Sequence, residues 1–395
     1  PGFYVAARGH HADIGGITPG SMPAHSRHID EEGVVLDNLK IVSAGQFDEP
    51  LLRHTLASGQ WPSRNIEQNL ADIRAQIAAC EKGEQALIHL SQRYGFTVIN
   101  AYMQHIQDNA EASVKRVLSQ LSSGHFRSEM DDGTAIEVDI QIDQARQQAS
   151  IDFSGTSGLH PGNFNAPVAV TKAAILYVFR CLVDYPIPLN AGCMKPIRLT
   201  LPEPCMLNPS YPAAVVAGNV ETSQVLVNTL FGALKVMAAA QGTMNNFTFG
   251  NEQYQYYETL CGGSGAGDGF NGASAVQTHM TNSRLTDPEV LEWRFPVRLE
   301  QFSIRQGSGG RGKFQGGDGV IRRIRFLQAM TASILSGHRL VPPFGLHGGE
   351  PGKTGYNRLI LSDGTTKALM AQAQIKLAAG DAIEIGTPGG GGYSA

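Results

Sequence analysis

Two imidazoles and a carboxylate fall within four positions, His10-His11-Ala12-Asp13, between an apolar run at 3–7 and the glycine pair Gly15-Gly16. Mixed nitrogen and oxygen donors of this kind suit a borderline divalent cation such as Zn, Mn or Fe. In an extended segment His11 and Asp13 project to one face and His10 to the other. A metal needs at least three protein ligands, and this cluster supplies only one or two. His25, His28, Glu31 and Glu32 follow and offer further donors. The competing reading is a polar loop whose histidines are hydrogen-bonded.

Other polar clusters lie beside glycines. Gly162-Asn163-Phe164-Asn165-Ala166-Pro167 follows a strand-like stretch, and Gly218-Asn219-Val220-Glu221-Thr222-Ser223 precedes a helical one. Asn165 and Asn219 are candidates for hydrogen bonds to substrate. The alternative is left-handed turns, which asparagine favours. Gln277-Thr278-His279-Met280-Thr281-Asn282-Ser283-Arg284 places His279 and Asn282 where they could face a pocket, although His279 also fits a satisfied core position. Gly307-Ser308-Gly309-Gly310-Arg311-Gly312-Lys313-Phe314 meets the GxxxxGK spacing of a phosphate loop, with Phe314 where a magnesium-binding hydroxyl belongs. The glycines that follow cannot start the helix a phosphate loop needs, so a Gly-rich turn region is the better reading. No GxSxG elbow is present, and no cysteine has a catalytic context.

The chain must position these groups with 395 residues, enough for more than one core. A hydrophobic share of 42% fits an ordinary globular protein, and a net charge of -4 gives no field to attract nucleic acid. No apolar stretch is long enough to span a bilayer. Five cysteines, none in a CxxC pair, argue against a disulfide framework and fit a reducing cytoplasm. The 46 glycines cluster near 262–272, 307–319 and 386–392, which indicates tight turns and close backbone approach. The opening Pro1-Gly2, without an initiator Met, reads as a start in mid-domain.

Residues 1–60 look irregular. Ile66, Leu70, Ile73, Ile77, Leu87 and Leu90 form a helical stripe ending at Gly95, and a second helix is expected over about 98–121, making an antiparallel hairpin. Alternation at 135–142 and 149–153 predicts a β-hairpin. Helices are expected near 168–183 and 222–241, and strands near 320–327, 331–336, 357–361 and 382–386. Helices followed by strands predict an α+β fold, with a mixed N-terminal region and helical hairpin before a β-rich, Gly-rich C-terminal half.

Read in order, Arg8–Met22, Gly162–Pro167, Ala214–Val220, Thr278–Glu289, Gly307–Gly312, Gly345–Gly352 and Thr387–Tyr393 resemble the hydantoinase B family. Within that family they look like the C-terminal half of ATP-dependent 5-oxoprolinases. The resemblance covers essentially the whole chain. It implies one family domain in four regions: 1–64 at the metal site, 65–128 the helical hairpin, 129–298 an α/β centre, and 299–395 β-rich. It implies an oligomeric hydrolase of cyclic amides that opens 5-oxo-L-proline to L-glutamate. An A-type partner half would bind ATP with Mg and phosphorylate the lactam oxygen; this half would hydrate the activated ring. N-methylhydantoinases, other lactamases and acetone- or acetophenone-type carboxylases are the alternatives, as is a purely structural role. The candidate catalytic set is His10, His11, Asp13, Asn165, Asn219, His279 and Asn282, with His10, His11 and Asp13 toward the metal. Relatives carry Asn-Asp/Ala-Pro-Tyr and Thr-His-Leu-Pro-Asp stretches before the histidine pair that contribute to the metal site. Neither is present here, so upstream residues are expected to complete it, and this chain alone is expected to be inactive.

Overall fold

A computed structural model describes residues 2–395, and these form six α-helices and fifteen strands in an α+β arrangement. The N-terminal segment is mostly loop, with a small hairpin of β1 (Val42–Ser43) and β2 (Gln46–Phe47). Helix α1 (Glu49–Leu56) follows, inside the region expected to be irregular. Asp48 caps it and Pro50 occupies its first turn, so local start signals were present without the length that reveals periodicity. Asn65 caps α2 (Ile66–Tyr94), and Gly95, at φ 86°, separates it from α3 (Phe96–Leu118). This is the expected hairpin. Its base is anchored where Leu52, Leu56, Leu70 and Ile73 are buried together. Its far end stands out from the body, with Ile88, Leu90, Tyr94 and Tyr102 exposed.

Strands β3 (Gly124–Glu129), β4 (Ala135–Asp143) and β5 (Gln148–Asp152) form an antiparallel meander. Strand β3 begins at Gly124, so the expected helical region, 65–128, ends in a strand. Helix α4 (Val168–Cys181) carries the chain to β6 (Ile197–Thr200), which pairs parallel with β5. Helix α5 (Ser223–Leu234) lies on β3 and β4, and its twelve residues are all buried. It ends seven residues before the expected limit because Lys235 turns left-handed, at φ 57°. Residues 218–222 form a π-turn ahead of it, a distortion common at functional sites.

The rest is largely sheet. Strands β7 (Asn246–Gly250) and β8 (Gln255–Thr259) precede α6 (Pro288–Arg294). After it come β9 (Val297–Arg305), β10 (Gly319–Phe326), β11 (Met330–Leu335), β12 (Tyr356–Ile360), β13 (Thr366–Leu369), β14 (Gln372–Leu377) and β15 (Ala382–Gly386). They make two antiparallel sheets, β14-β11-β7-β8 and β13-β12-β15-β10-β9, around one core that includes Phe249, Ile324, Phe326, Ile334 and Ile385. The expected boundary near 298 does not divide the packing, since β7 pairs with β11 across it. A buried, bidentate ion pair joins the sheets: Arg322 on β10 donates to both carboxylate oxygens of Glu258 on β8, at 2.7 and 2.8 Å.

The glycine clusters meet each other. Gly263 N donates to Pro388 O, Gly317 N to Ser264 O, Gly390 N to Gly317 O and Gly391 N to Ala239 O, all within 3.1 Å. Backbones lie against backbones, so a Cβ on Gly263 would sit 1.9 Å from Gly317 O and one on Gly390 1.9 Å from Ser264 O. Gly307-Ser308-Gly309-Gly310 belongs to this knot and leads into β10 rather than a helix. Gly390→Ala is expected to lower stability by about 2–3 kcal/mol through overpacking. Gly158→Ala, at an exposed site with open space around it, is expected to change stability by less than about 0.5 kcal/mol. Urea unfolding of both variants checks this, and equal midpoints would contradict it.

Candidate active site

The first polar cluster is a tightly bonded loop. Asp13 is 4% exposed, and its carboxylate accepts from Gly15 N at 2.9 Å, Gly20 N at 3.0 Å and Arg64 Nη1 at 2.9 Å. Arg64 also donates to Gly15 O and Gly16 O, and Ser21 bridges Ile14 N and Gly15 O. Asp13 is therefore the anion that folds this loop, and its oxygens are spent on that task. His11 differs. Its Nδ1 lies 3.0 Å from Asp72 Oδ2, and Gln68 Nε2 steadies the other Asp72 oxygen at 2.7 Å. A carboxylate on one imidazole nitrogen leaves the second with its lone pair, as in a metal-binding histidine. His10 is exposed beside it. Among the described residues no three His, Cys, Asp or Glu side chains are grouped to hold a metal. His10 and His11 are suitable donors, but with Asp13 occupied this chain's donor set does not fit a metal by itself.

Two of the singled-out segments converge just beyond that loop. Asn163 Nδ2 donates to Pro23 O and Ser26 Oγ. The Glu32 carboxylate accepts from Ser26 Oγ, Val215 N and Val216 N; burial raises its pKa against those bonds. Asn165 is fully buried, accepts from His160 N, and donates to His160 O, Gly162 O and Ala214 O. It is thus a brace for the His160 loop, with its amide saturated by backbone. Asn219 and Asn282 are exposed. His279 lies apart, buried between Tyr177 and Phe231, with Nδ1 3.1 Å from Tyr177 Oη. Burial pushes its pKa down to about 4, so it is neutral.

A second group of polar residues surrounds a cleft of about 590 Å³ between the meander and the C-terminal sheets, walled by His25, Asp132, Arg339, Tyr356 and Asn357. Asp131 shapes it: its carboxylate accepts from the N–H groups of Arg339, Leu340 and Val341, at 2.7, 2.9 and 2.8 Å. Asp132 pairs with His160 Nε2 at 2.5 Å. Burial works to raise the Asp132 carboxyl, but bonds from His160 and Thr134 outweigh it and hold it well below the usual range.

The cleft shares Asp131, Asp132 and Gln372 with a small inner chamber lined by Glu221 and His338. Glu221, on the π-turn, is 1% exposed, and its Oε1 accepts from Met244 N at 3.1 Å and Asn246 Nδ2 at 2.7 Å. Its Oε2 has no hydrogen-bond partner. Burial pushes its carboxyl up to about 8, so it carries its proton at neutral pH. None of Asp131, Asp132, Glu221, His338 and Arg339 was among the site residues expected from sequence. The available signal was Glu221 itself, an acid within a motif already singled out for its asparagine.

The sequence profile of the hydantoinase B/oxoprolinase family matches residues 1–395, and the chain belongs to that family. It is 47% identical to a 5-oxoprolinase of Dictyostelium discoideum over 99% of this chain and 31% of the relative. It is 44% identical to 5-oxoprolinase 1 of Arabidopsis thaliana over 99% of this chain and 33% of the relative. The chain thus spans about a third of the length of the curated relatives it matches. Among solved structures, the ATP-dependent caprolactamase of Pseudomonas jessenii superposes with a TM-score of 0.85 over 98% of this chain and 71% of that one, at 23% identity, which shows a shared fold.

Two outcomes follow from this geometry. Asp13→Ala strips the partner from the Arg64 guanidinium and from three backbone donors, Gly15, Gly20 and Arg64, and is expected to lower stability by about 2–3 kcal/mol, against less than about 1 kcal/mol for His11→Ala, as read by thermal unfolding. The second concerns Glu221. Its folded-state pKa lies above the ordinary 4.5, so the folded protein keeps a proton that the unfolded chain releases. Its contribution to stability therefore falls as pH rises from about 4.5 to about 8. Glu221→Gln removes that dependence, so its stability relative to the parent should grow across this window. A gap constant from pH 5 to pH 8 in denaturant titrations would refute the assignment.

Proposed function

We propose that this chain is the ring-opening portion of an ATP-dependent 5-oxoprolinase, acting on 5-oxo-L-proline once an A-type partner portion has activated the lactam at the expense of ATP with Mg. The observation that carries this reading is identity above 40% to 5-oxoprolinases along the whole chain, joined to a polar cleft beside a chamber that holds the buried acid Glu221. The chemistry divides sensibly. An unstrained lactam is a poor electrophile, and phosphorylation of its oxygen makes the ring carbon open to water. The nucleotide chemistry belongs to the partner, consistent with glycine segments here that pack against each other rather than cradle a phosphate.

What this chain supplies is a cleft to hold the ring and groups to place water and move protons. Asp131 fixes the loop that carries His338 and Arg339, and Arg339 in the wall is a cation suited to an anionic substituent such as the 5-oxoproline carboxylate. His10 and His11 are half of a divalent-metal site whose remaining donors come from polypeptide outside this chain. All five cysteines are free, which supports a reducing, cytoplasmic setting.

The test is reconstitution. With the A-type portion, ATP and 5-oxoproline, glutamate should form, and leaving out either portion or ATP should abolish it. Acetone with bicarbonate, caprolactam and hydantoins serve as competing substrates; turnover of one of these with none of 5-oxoproline would overturn the reading. His10→Ala with His11→Ala should lower glutamate release by about 100-fold or more and spare nucleotide binding by the partner. This chain alone should carry substoichiometric metal by elemental analysis.

A further inference from the structure

The inner chamber holds about 20 Å³, the room of a single water. Two of its lining side chains present polar atoms with no protein partner, Glu221 Oε2 and His338 Nε2. Their chemistries are complementary. His338 Nδ1 lies 2.7 Å from Val341 O, which can only accept, so Nδ1 carries the hydrogen and Nε2 is a bare lone pair. Glu221 Oε1 is saturated by Met244 N and Asn246 Nδ2, so the acid proton resides on Oε2. One wall donates and the other accepts.

The backbone keeps this space open. A Cβ on Gly337 would come within 3.3 Å of Glu221 Oε2, and one on Gly242 within 2.2 Å of His338 Nε2. Both histidine and acid are held rigidly, His338 through a loop whose next three N–H groups are bound by Asp131, and Glu221 through the π-turn. Burial lowers the pKa of His338, which keeps it neutral and able to accept a proton.

We propose that this chamber seats the hydrolytic water, held between the Glu221 hydroxyl and His338 Nε2, and that the cleft in front of it takes the activated cyclic amide. This rests on the ring-opening function proposed above. The water oxygen accepts from Glu221 Oε2–H and bonds to the ring carbon through its remaining lone pair. The proton it loses passes to His338 Nε2. When the C–N bond breaks, its electron pair stays on nitrogen, and that nitrogen takes the proton from His338. The hydroxyl so added gives its own hydrogen to that nitrogen as it becomes a carbonyl, which leaves an amine and an acyl phosphate. A second water placed in the same chamber then attacks the acyl carbon, and phosphate leaves with the electron pair of its C–O bond. Two waters are consumed per ring, and the products are glutamate and inorganic phosphate. Glu221 stays protonated throughout and positions the water; His338 is the base and then the acid.

The experiment uses the reconstituted enzyme with both portions, and measures lactam-dependent ADP formation and glutamate release side by side. His338→Asn retains a donor toward Val341 O and removes Nε2; glutamate release should fall about 100-fold while ADP formation stays within about threefold. Glu221→Gln keeps an acceptor for Met244 and Asn246 and an N–H toward the chamber, so it should cost about tenfold or less, and Glu221→Ala far more. Gly337→Ala fills the chamber without altering a polar group and should uncouple the two readouts in the same way, which serves if the His338 variant fails to fold. An active parent with glutamate release unchanged in folded His338→Asn or Gly337→Ala overturns this inference alone. A parent that turns over no 5-oxoproline overturns the functional reading and this inference with it.

Discussion

The arrangement depends on glycine backbones lying against glycine backbones. The segments near 262–272, 307–319, 345–352 and 386–392 approach so closely that carbonyl oxygens occupy the space where side chains would begin. Peptide groups brought together in this way satisfy one another's hydrogen bonds with no side chain between them. The knot joins the end of β15 to the chain that follows β8 and α5. It thereby links the C-terminal sheets to the helix layer over the meander. The cleft lies where these two bodies meet, so its shape is set by how rigidly the knot holds them.

The acidic residues of the loop, the cleft and the chamber do three different jobs, and environment sorts them. Asp13 and Asp131 are anions that gather backbone N–H groups and hold loops in place. Asp132 is kept ionised by His160. Glu221, enclosed and facing an unpaired side, is kept neutral. The chain therefore spends most of its buried carboxylates on architecture and reserves one for chemistry. The same holds for amides: Asn163 and Asn165 brace loops, and the Asn165 amide is taken up by backbone groups.

Much of the framework was legible in the sequence because it rests on local periodicity. The helical hairpin, the β4–β5 pair and the strands β10, β11, β12 and β15 follow from apolar residues recurring at steps that suit a helix or a pleat. Strands β9 and β14 also alternate, with Val297 and Leu299 in one and Ala373, Ile375 and Leu377 in the other, but were not expected; β13, Thr366–Leu369, is too short to show a period. Helix α5 ends before its expected limit because Lys235 turns left-handed inside an apolar stretch that continues to Ala240. The site was harder to read. His10 and His11 stand out by type, but the role of Asp13 depends on Arg64, and that of Asn165 on Ala214. Glu221 and His338 become meaningful only when a π-turn and a loop more than a hundred residues apart enclose the same small space.

The knot also bears on the order in which the molecule is made. Its contacts join residues near 239 and 263 to residues 388–391, so they close loops of well over a hundred residues. Contacts of such long range form late and slowly. During synthesis the middle glycine segments leave the ribosome with their peptide groups unmatched, and they stay so until the last strand and its tail emerge. The helical hairpin and meander can fold while they wait. A nascent chain stalled before residue 388 therefore holds a finished front half and an open rear, a natural substrate for chaperones.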